Sequence, residues 1–286
     1  RSLDEADYED HTLEQYVSER GYSRAFRRHY LVPLTSALWS TAPETALDFP
    51  AAYAIRFFER HRMLGLGRHR WRSVEGGSQS YVAAMLRRLR SSARVGTGIR
   101  SVRREPVGVV LRDDADRLHR FDKVVLATHA DQSLALLEDP SEAERRLLGA
   151  WRFTRNEVAL HSDTRFLPRA PAARAAWNYQ SNGHVQPTMT YYLNRLQQLD
   201  TDEAWCVTLN RTAEIDSAKI VDRTVFEHPV YTLASLRTQP LVRRLSGERH
   251  TLYAGAWQGV GFHEDGLASG VAAAARLGVD WKGSAP

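Results

Sequence analysis

Tyr253-Ala254-Gly255-Ala256-Trp257-Gln258-Gly259-Val260-Gly261-Phe262-His263-Glu264-Asp265-Gly266-Leu267-Ala268-Ser269-Gly270 decides how the rest of the chain is read. With Thr251-Leu252 before it, the run begins as a short apolar strand of the kind buried in parallel sheets. Glycines at 255, 259 and 261 then allow a tight loop or a close approach of backbone to a ligand. Glu264, Asp265 and Gly266 open a helix whose free N–H groups face an anion or an electron-rich ring edge. Small residues at 268, 269, 270 and 272 let that helix pack against something flat. The same spacing also describes an ordinary strand, turn and helix with acidic residues on its dipole.

Working outward, Lys123-Val124-Val125-Leu126-Ala127-Thr128 is a second continuous apolar run ending in small residues. It is read as a fully buried parallel strand, followed by helices from Asp131 and from Ser141. Upstream, Ile99–Arg104, Gly108–Arg112 and Leu118–Phe121 are separated by turn residues and read as strands. Trp71–Val74 reads as a short strand, Gly76-Gly77-Ser78 as a turn, and Gln79–Leu89 as a helix. Residues 11–40 read as helices and Pro50–Met63 as another, an opening third rich in aromatics. Thr12 caps a helix with Leu13, Tyr16 and Val17 on one face, and Pro33 kinks or interrupts a second helix that starts at Ser23. Residues 151–240 alternate strands and turns, most clearly Val158–His161 and Ala204–Leu209. The expected class is mixed α/β, organised as 1–70, 71–150, 151–240 and 241–286.

The chain has 286 residues, 43% of them hydrophobic and 26% charged, which fits a globular protein with a sizeable core. No apolar run approaches the roughly 20 residues needed to span a bilayer. The opening Arg1-Ser2-Leu3-Asp4-Glu5 has no apolar signal core and no initiator Met, so an upstream natural start is expected. Cys206 is the only cysteine, so no internal disulfide forms, in keeping with a reducing cytoplasm. It sits in a strand-like run and is expected to be buried. The net charge of +5 comes from arginines interleaved with Asp and Glu, and no nucleic-acid motif accompanies them.

The 253–270 run resembles the C-terminal FAD-binding motif of the flavin amine-oxidase superfamily. Its Gly261-Phe262-His263-Glu264-Asp265-Gly266 is similar to the variant of a bacterial subgroup of predicted NAD/FAD-binding oxidoreductases. Tyr22–Pro33, Ala37–Thr41, Leu47–Pro50, Trp71–Ser80, Lys123–Leu137, Asn194–Gln197 and Glu227–Thr232 resemble the same subgroup in the same order. The resemblance implies a discontinuous FAD/NAD(P)-binding Rossmann-like domain from 71–150 and 241–286, and an amine-oxidase-like substrate domain from 1–70 and 151–240. It places Ile99 at the adenine and Ala127 and Thr128 at the ribityl–pyrophosphate region. Gly255, Ala256, Trp257 and Phe262 would lie at the flavin, with Glu264, Asp265 and Gly266 giving helix N-terminal contacts. It implies FAD as cofactor and a small organic or lipid/acyl substrate oxidised by hydride transfer, with peripheral membrane contact open.

Two departures stand out. No Gly-x-Gly-x-x-Gly follows a strand, so the first βαβ unit of such a domain is missing from this sequence. None of the lysines at 123, 219 and 282 matches the lysine that amine oxidases keep near the flavin. The alternative is therefore a truncated, non-enzymatic remnant or partial sequence that does not bind FAD by itself.

Among other residues, His161, His184, His228 and His263 lack metal-ligand spacing, and no metal is expected. His263 is the acid/base candidate because imidazole titrates near neutrality, though a plain helix-start histidine reads the same. Tyr191, His228 and Tyr231 are candidates for a substrate pocket, or for ordinary core. Asp113-Asp114-Ala115-Asp116 reads as a hairpin turn.

Overall fold

The computed structural model describes residues 8–65, 72–89, 93–180 and 188–279. Trp71 and His184 lie outside the described residues, as does Lys282. The chain divides into two compact units, residues 1–93 with 153–230, and residues 94–152 with 231–286. In chain order, the first unit opens with helices α1 (Leu13–Glu19), α2 (Arg24–Phe26), α3 (Val32–Trp39), α4 (Ala51–Arg60) and α5 (Gln79–Leu86). The second unit begins with strands β1 (Ile99–Arg104), β2 (Val109–Asp113), β3 (Leu118–Phe121) and β4 (Val124–Leu126), then helices α6 (Ala130–Leu136) and α7 (Glu142–Leu148). Next come β5 (Arg152–His161), β6 (Trp177–Tyr179), β7 (Met189–Tyr192), helix α8 (Leu193–Leu196), β8 (Cys206–Leu209) and β9 (Ile220–Val230). The chain returns to the second unit with α9 (Leu233–Leu245), β10 (Thr251–Tyr253) and α10 (His263–Arg276).

In the first unit, Thr12 starts α1 by a reciprocal capping box. Its hydroxyl accepts from Gln15 N–H while the Gln15 carbonyl accepts from Thr12 N–H. Leu13, Tyr16 and Val17 are buried, as their helical spacing requires. Trp39 stacks on Phe49 with ring centroids 4.0 Å apart and meets Phe57 edge-on at 5.1 Å. Pro33 does not break its helix. Between α2 and α3 the backbone widens to a π-helix over Arg27–Leu31, and Val32 N–H bonds to the Arg27 carbonyl. Proline lacks the N–H that would continue an α-helical ladder, and the wider register absorbs that loss. A five-stranded sheet in the order β6-β7-β8-β5-β9 completes the unit.

Two stretches differ from their sequence expectation. Residues 72–74 form no strand; Ser73 instead donates its hydroxyl to the Leu196 carbonyl at 2.9 Å. That contact lies within the first unit, and α5 groups there rather than with the residues after 94. The unit breaks fall after 93, 152 and 230, against expected boundaries at 70, 150 and 240.

In the second unit, β1, β2 and β3 form an antiparallel meander, and among the described residues β4 pairs in parallel with β10 and with no other strand. The expected strand from Lys123 to Thr128 is shortened to three residues, and Val125 is 38% exposed. Full burial requires neighbours on both faces, and β4 and β10 form a two-stranded sheet. Asp113 is wholly buried at the β2–β3 turn. It accepts from Ala115 N–H, and the His119 ring, Arg117 N–H and the Arg117 guanidinium, which also donate to it, hold its carboxyl well below the usual range. The acidic run is a turn scaffold, as the sequence suggests.

A buried cluster joins these parts. Arg104, at the end of β1, donates to both Glu144 oxygens at 2.7 and 3.1 Å and to Asp139 at 2.7 Å. The Tyr253 hydroxyl of β10 donates to Glu144 at 2.6 Å. Burial by itself would raise the Glu144 carboxyl. Arg104, Tyr253 and the Ser141 N–H outweigh it and bring the group from 4.5 down to about 2.

Removing one partner from a buried ion pair leaves the other charge uncompensated, at a cost of about 3–5 kcal/mol. Glu144→Gln should destabilise the protein by that order in urea titrations at neutral pH. Because the folded carboxyl is depressed, its contribution is complete above 4.5 and is lost as pH falls through about 2. Unfolding titrations over that window should show a steeper loss in the wild type than in Glu144→Gln; equal slopes would remove Glu144 from the acid response.

Candidate functional site

The carboxyl ends of β4 and β10 lie side by side, with Tyr253 opposite Leu126 in parallel register. Ala254 N–H extends the ladder to the Leu126 carbonyl at 2.9 Å. The chain then turns at Gly255, whose φ of 149° side chains rarely adopt; a Cβ there would sit 2.5 Å from the Trp257 Nε1. Gly255 N–H donates to the Ser269 hydroxyl of α10 at 2.8 Å. The Trp257 indole N–H donates to the Thr128 carbonyl at 3.2 Å, tying the two strand ends together. That indole is buried against Trp151, which in turn meets Tyr231 at 5.6 Å. From α9, Gln239 donates to the Trp257 and Gly259 carbonyls, each at 2.9 Å. Gly261 has φ 95°, and a Cβ there would lie 2.7 Å from the Tyr231 hydroxyl.

These contacts refine the sequence reading of the loop. Gly255 and Gly261 are both required by the protein's own packing, since a Cβ would run into Trp257 at one and Tyr231 at the other. Trp257 turns its indole inward and offers no open face. Tyr231 is 3% exposed and belongs to this core, so it is no pocket wall here.

What remains open at the strand ends is a ledge of small groups. Ala127 is exposed, and Thr128, Ala256, Phe262, Asp265 and Gly266 are half-buried. A Cβ on Gly266 would meet Ala256 at an ordinary 3.9 Å, so nothing in the protein demands glycine there. Helix α10 begins at His263 with Phe262 N–H held by the Asp265 carboxylate at 3.0 Å. The Phe262 ring has no acceptor to return, so the side-chain cap runs one way only; the Phe262 carbonyl accepts from Asp265 N–H and Gly266 N–H, each at 3.1 Å. Glu264 and His263 are exposed. The structure therefore brings Ala127, Thr128, Gly255, Ala256, Phe262, Asp265 and Gly266 to one end of the parallel pair. Ile99 is on the separate β1–β3 sheet, half-buried and opposite Asp113.

Tyr191 and His228 belong to the first unit. Tyr191 sits in β7 edge-on to Trp177 at 5.5 Å, and burial raises its hydroxyl pKa. His228 is held by a relay that sequence spacing did not reveal. Asn210 accepts from Glu157 N–H and donates to Asn156, which donates to the His228 Nδ1 at 2.9 Å. The backbone donor fixes both amide orientations, so Nδ1 is an acceptor and a neutral ring carries its proton on Nε2. His161 is fully buried. Its Nδ1 accepts from Asp163 N–H, leaving Nε2 to donate to Thr208 at 2.8 Å, and burial lowers its pKa. Burial also pushes the Cys206 thiol up to about 11, consistent with a packing role. Lys123 and Lys219 are exposed.

The family model for flavin containing amine oxidoreductases matches residues 1–278. The chain belongs to that family. Its mixed α/β fold is similar to a CLA-producing fatty acid isomerase from P. acnes, at TM-score 0.63 and 16% identity over 90% of this chain and 64% of that one. It is also similar to a putrescine oxidase redesigned for cofactor binding, at TM-score 0.64 and 13% identity over 96% of this chain and 69% of that one. A third likeness is to cyclohexylamine oxidase from Brevibacterium oxydans IH-35A, at TM-score 0.61 and 13% identity, covering 96% and 68%. The chain thus spans about two thirds of the length of these relatives, and identities this low establish likeness of fold alone. No curated protein sequence matches the chain. No helix among the described residues is long and apolar enough to cross a membrane.

Two glycine substitutions should separate the loop's roles. Gly255→Ala places a side chain at a strained φ against Trp257 and should cost about 1–3 kcal/mol. Gly266→Ala, inside α10 with room for a methyl, should be neutral or stabilise by about 0.5–1 kcal/mol. Urea midpoints measured without added flavin check both signs.

Proposed function

We propose that the protein acts as an FAD-dependent oxidoreductase, with FAD at the carboxyl ends of β4 and β10 and a small organic or lipid/acyl substrate. The observation that carries this reading is the ledge itself. In open α/β sheets, ligands bind outside the carboxyl ends of parallel strands. Here that end carries exposed or half-buried small residues and a helix start whose side-chain cap runs one way only, within a chain of a flavin family.

The residues fit such a group. Ala127 and Thr128 would border its ribityl–pyrophosphate region. The backbone of Gly255 and Ala256, with Phe262, would lie along the ring. Gly266 and the first turn of α10 would face the ring edge, where Glu264 and Asp265 favour a neutral or electron-poor group over a phosphate. Trp257 would act from behind by locking the strand ends. Ile99 backbone atoms would hold the adenine. Bound FAD supplies the hydride acceptor; the chain orients it and shields it from water. His263, exposed at the helix start, is the group proposed to exchange a proton with the substrate. The Gly-Phe-His-Glu-Asp-Gly run aligns the reading with the bacterial subgroup of predicted NAD/FAD-binding oxidoreductases, for which a lipid or acyl substrate is proposed.

The two-stranded β4–β10 pair favours a second reading. Parallel sheets are stable when covered on both faces, and Val125 is 38% exposed. The dinucleotide half of the site would then depend on a further βαβ unit, and the chain by itself would be a remnant that does not retain FAD.

Visible absorbance after FAD addition and desalting tests both readings, on the chain with and without a βαβ dinucleotide unit fused ahead of it. Flavin retained by the chain alone as well as by the fused form, and lost in Gly266→Ala despite unchanged stability, is the expected result. Flavin retained only by the fused form would select the second reading for the chain alone. No flavin in either folded form would remove the FAD assignment.

A further inference from the structure

The first unit contains a cleft of about 290 Å³ that the flavin reading does not use. It is built around the π-helix between α2 and α3, and such widened turns are frequent at functional sites. Arg24 and Arg28 line it, one helical step apart on the same side of the segment. Arg27 also lines it but is neutralised by Glu14 at 2.7 Å. Among the described residues Arg24 and Arg28 have no acidic partner, and both are exposed. Glu14, the partner of Arg27, also lines the cleft, and the rest of the wall is half-buried and largely apolar, formed by Val32, Pro33, Pro43 and Leu47 with Tyr179 alongside.

We infer that this cleft binds an anionic amphiphile, a carboxylate bearing a short acyl chain, with Arg24 and Arg28 on the head and Val32, Pro33 and Leu47 on the tail. A purely cationic patch would take any small anion, and a purely apolar groove any hydrocarbon. Two uncompensated guanidiniums beside an apolar wall select a molecule carrying both features, because arginine forks match carboxylate geometry. The size is at the low end of small-molecule sites, roughly 300–1,000 Å³, which favours a short chain. The inference is independent of the flavin reading, since binding here requires neither FAD nor turnover.

Isothermal titration with octanoate, acetate and octyltrimethylammonium tests it on the wild type, on Arg24→Gln/Arg28→Gln and on Leu47→Asn, with thermal melts to confirm folding. Octanoate should bind at least about tenfold more tightly than either probe. The double arginine variant should erase the preference for octanoate over octyltrimethylammonium. Leu47→Asn should weaken octanoate while leaving acetate unchanged. Octanoate affinity that survives the loss of both arginines overturns the proposal, as does acetate binding equal to octanoate. Failure of octanoate to bind the folded wild type overturns it as well.

Discussion

The second unit depends on the ion pair between Arg104 and Glu144. Both side chains are almost fully buried, at 2% and 4% exposure. Charges that deep are tolerated only when paired and fully hydrogen-bonded. Asp139 and the Tyr253 hydroxyl provide the extra partners. Arg104 comes from β1, Glu144 from α7 and Tyr253 from β10, so one cluster pins three elements distant in sequence. Since β10 carries the candidate cofactor loop at its end, the position of that loop follows from this pair.

Beyond Tyr253 the loop is held from three sides by short polar contacts. Ser269 takes the Gly255 N–H, Thr128 takes the Trp257 indole, and Gln239 takes two carbonyls. The strained Gly255 is thus over-determined by its surroundings, which is the condition under which backbone strain persists. Buried Trp257 supports the strand ends without lining them. Beside it the strand ends present Ala127, Thr128, Ala256, Phe262, Asp265 and Gly266, the groups to which the proposed cofactor site is assigned.

The first unit solves different problems with the same economy of contacts. A proline inside a helix is accommodated by a π-turn, and that turn shapes a cleft lined by Arg24 and Arg28, which have no acidic partner among the described residues. A histidine in β9 is oriented by two asparagines whose amides are set by a single backbone N–H. Neither device involves the loop and helix of residues 253–270.

The sequence alone determined what depends on local pattern. The capping box at Thr12, the hairpin at Asp113, the meander strands and the helix after Gly261 all follow from residue spacing and turn chemistry. The order of short motifs also pointed to the flavin family across the chain. What depends on neighbours far away in sequence needed the tertiary structure. Val124–Leu126 reads as a fully buried strand because composition records hydrophobicity, whereas burial depends on how many strands stand beside it. Gly255 and Gly261 look like ligand-facing glycines because sequence shows the missing side chain but not the indole and phenol that exclude it. Tyr231 reads equally as pocket or core, and Trp257 as a flavin contact, because an aromatic looks the same in sequence whichever way it points. The Arg104–Glu144–Tyr253 cluster, the Asn156–His228 contact and the cleft at Arg24 and Arg28 join residues with no shared periodicity, so only the packed fold brings them together.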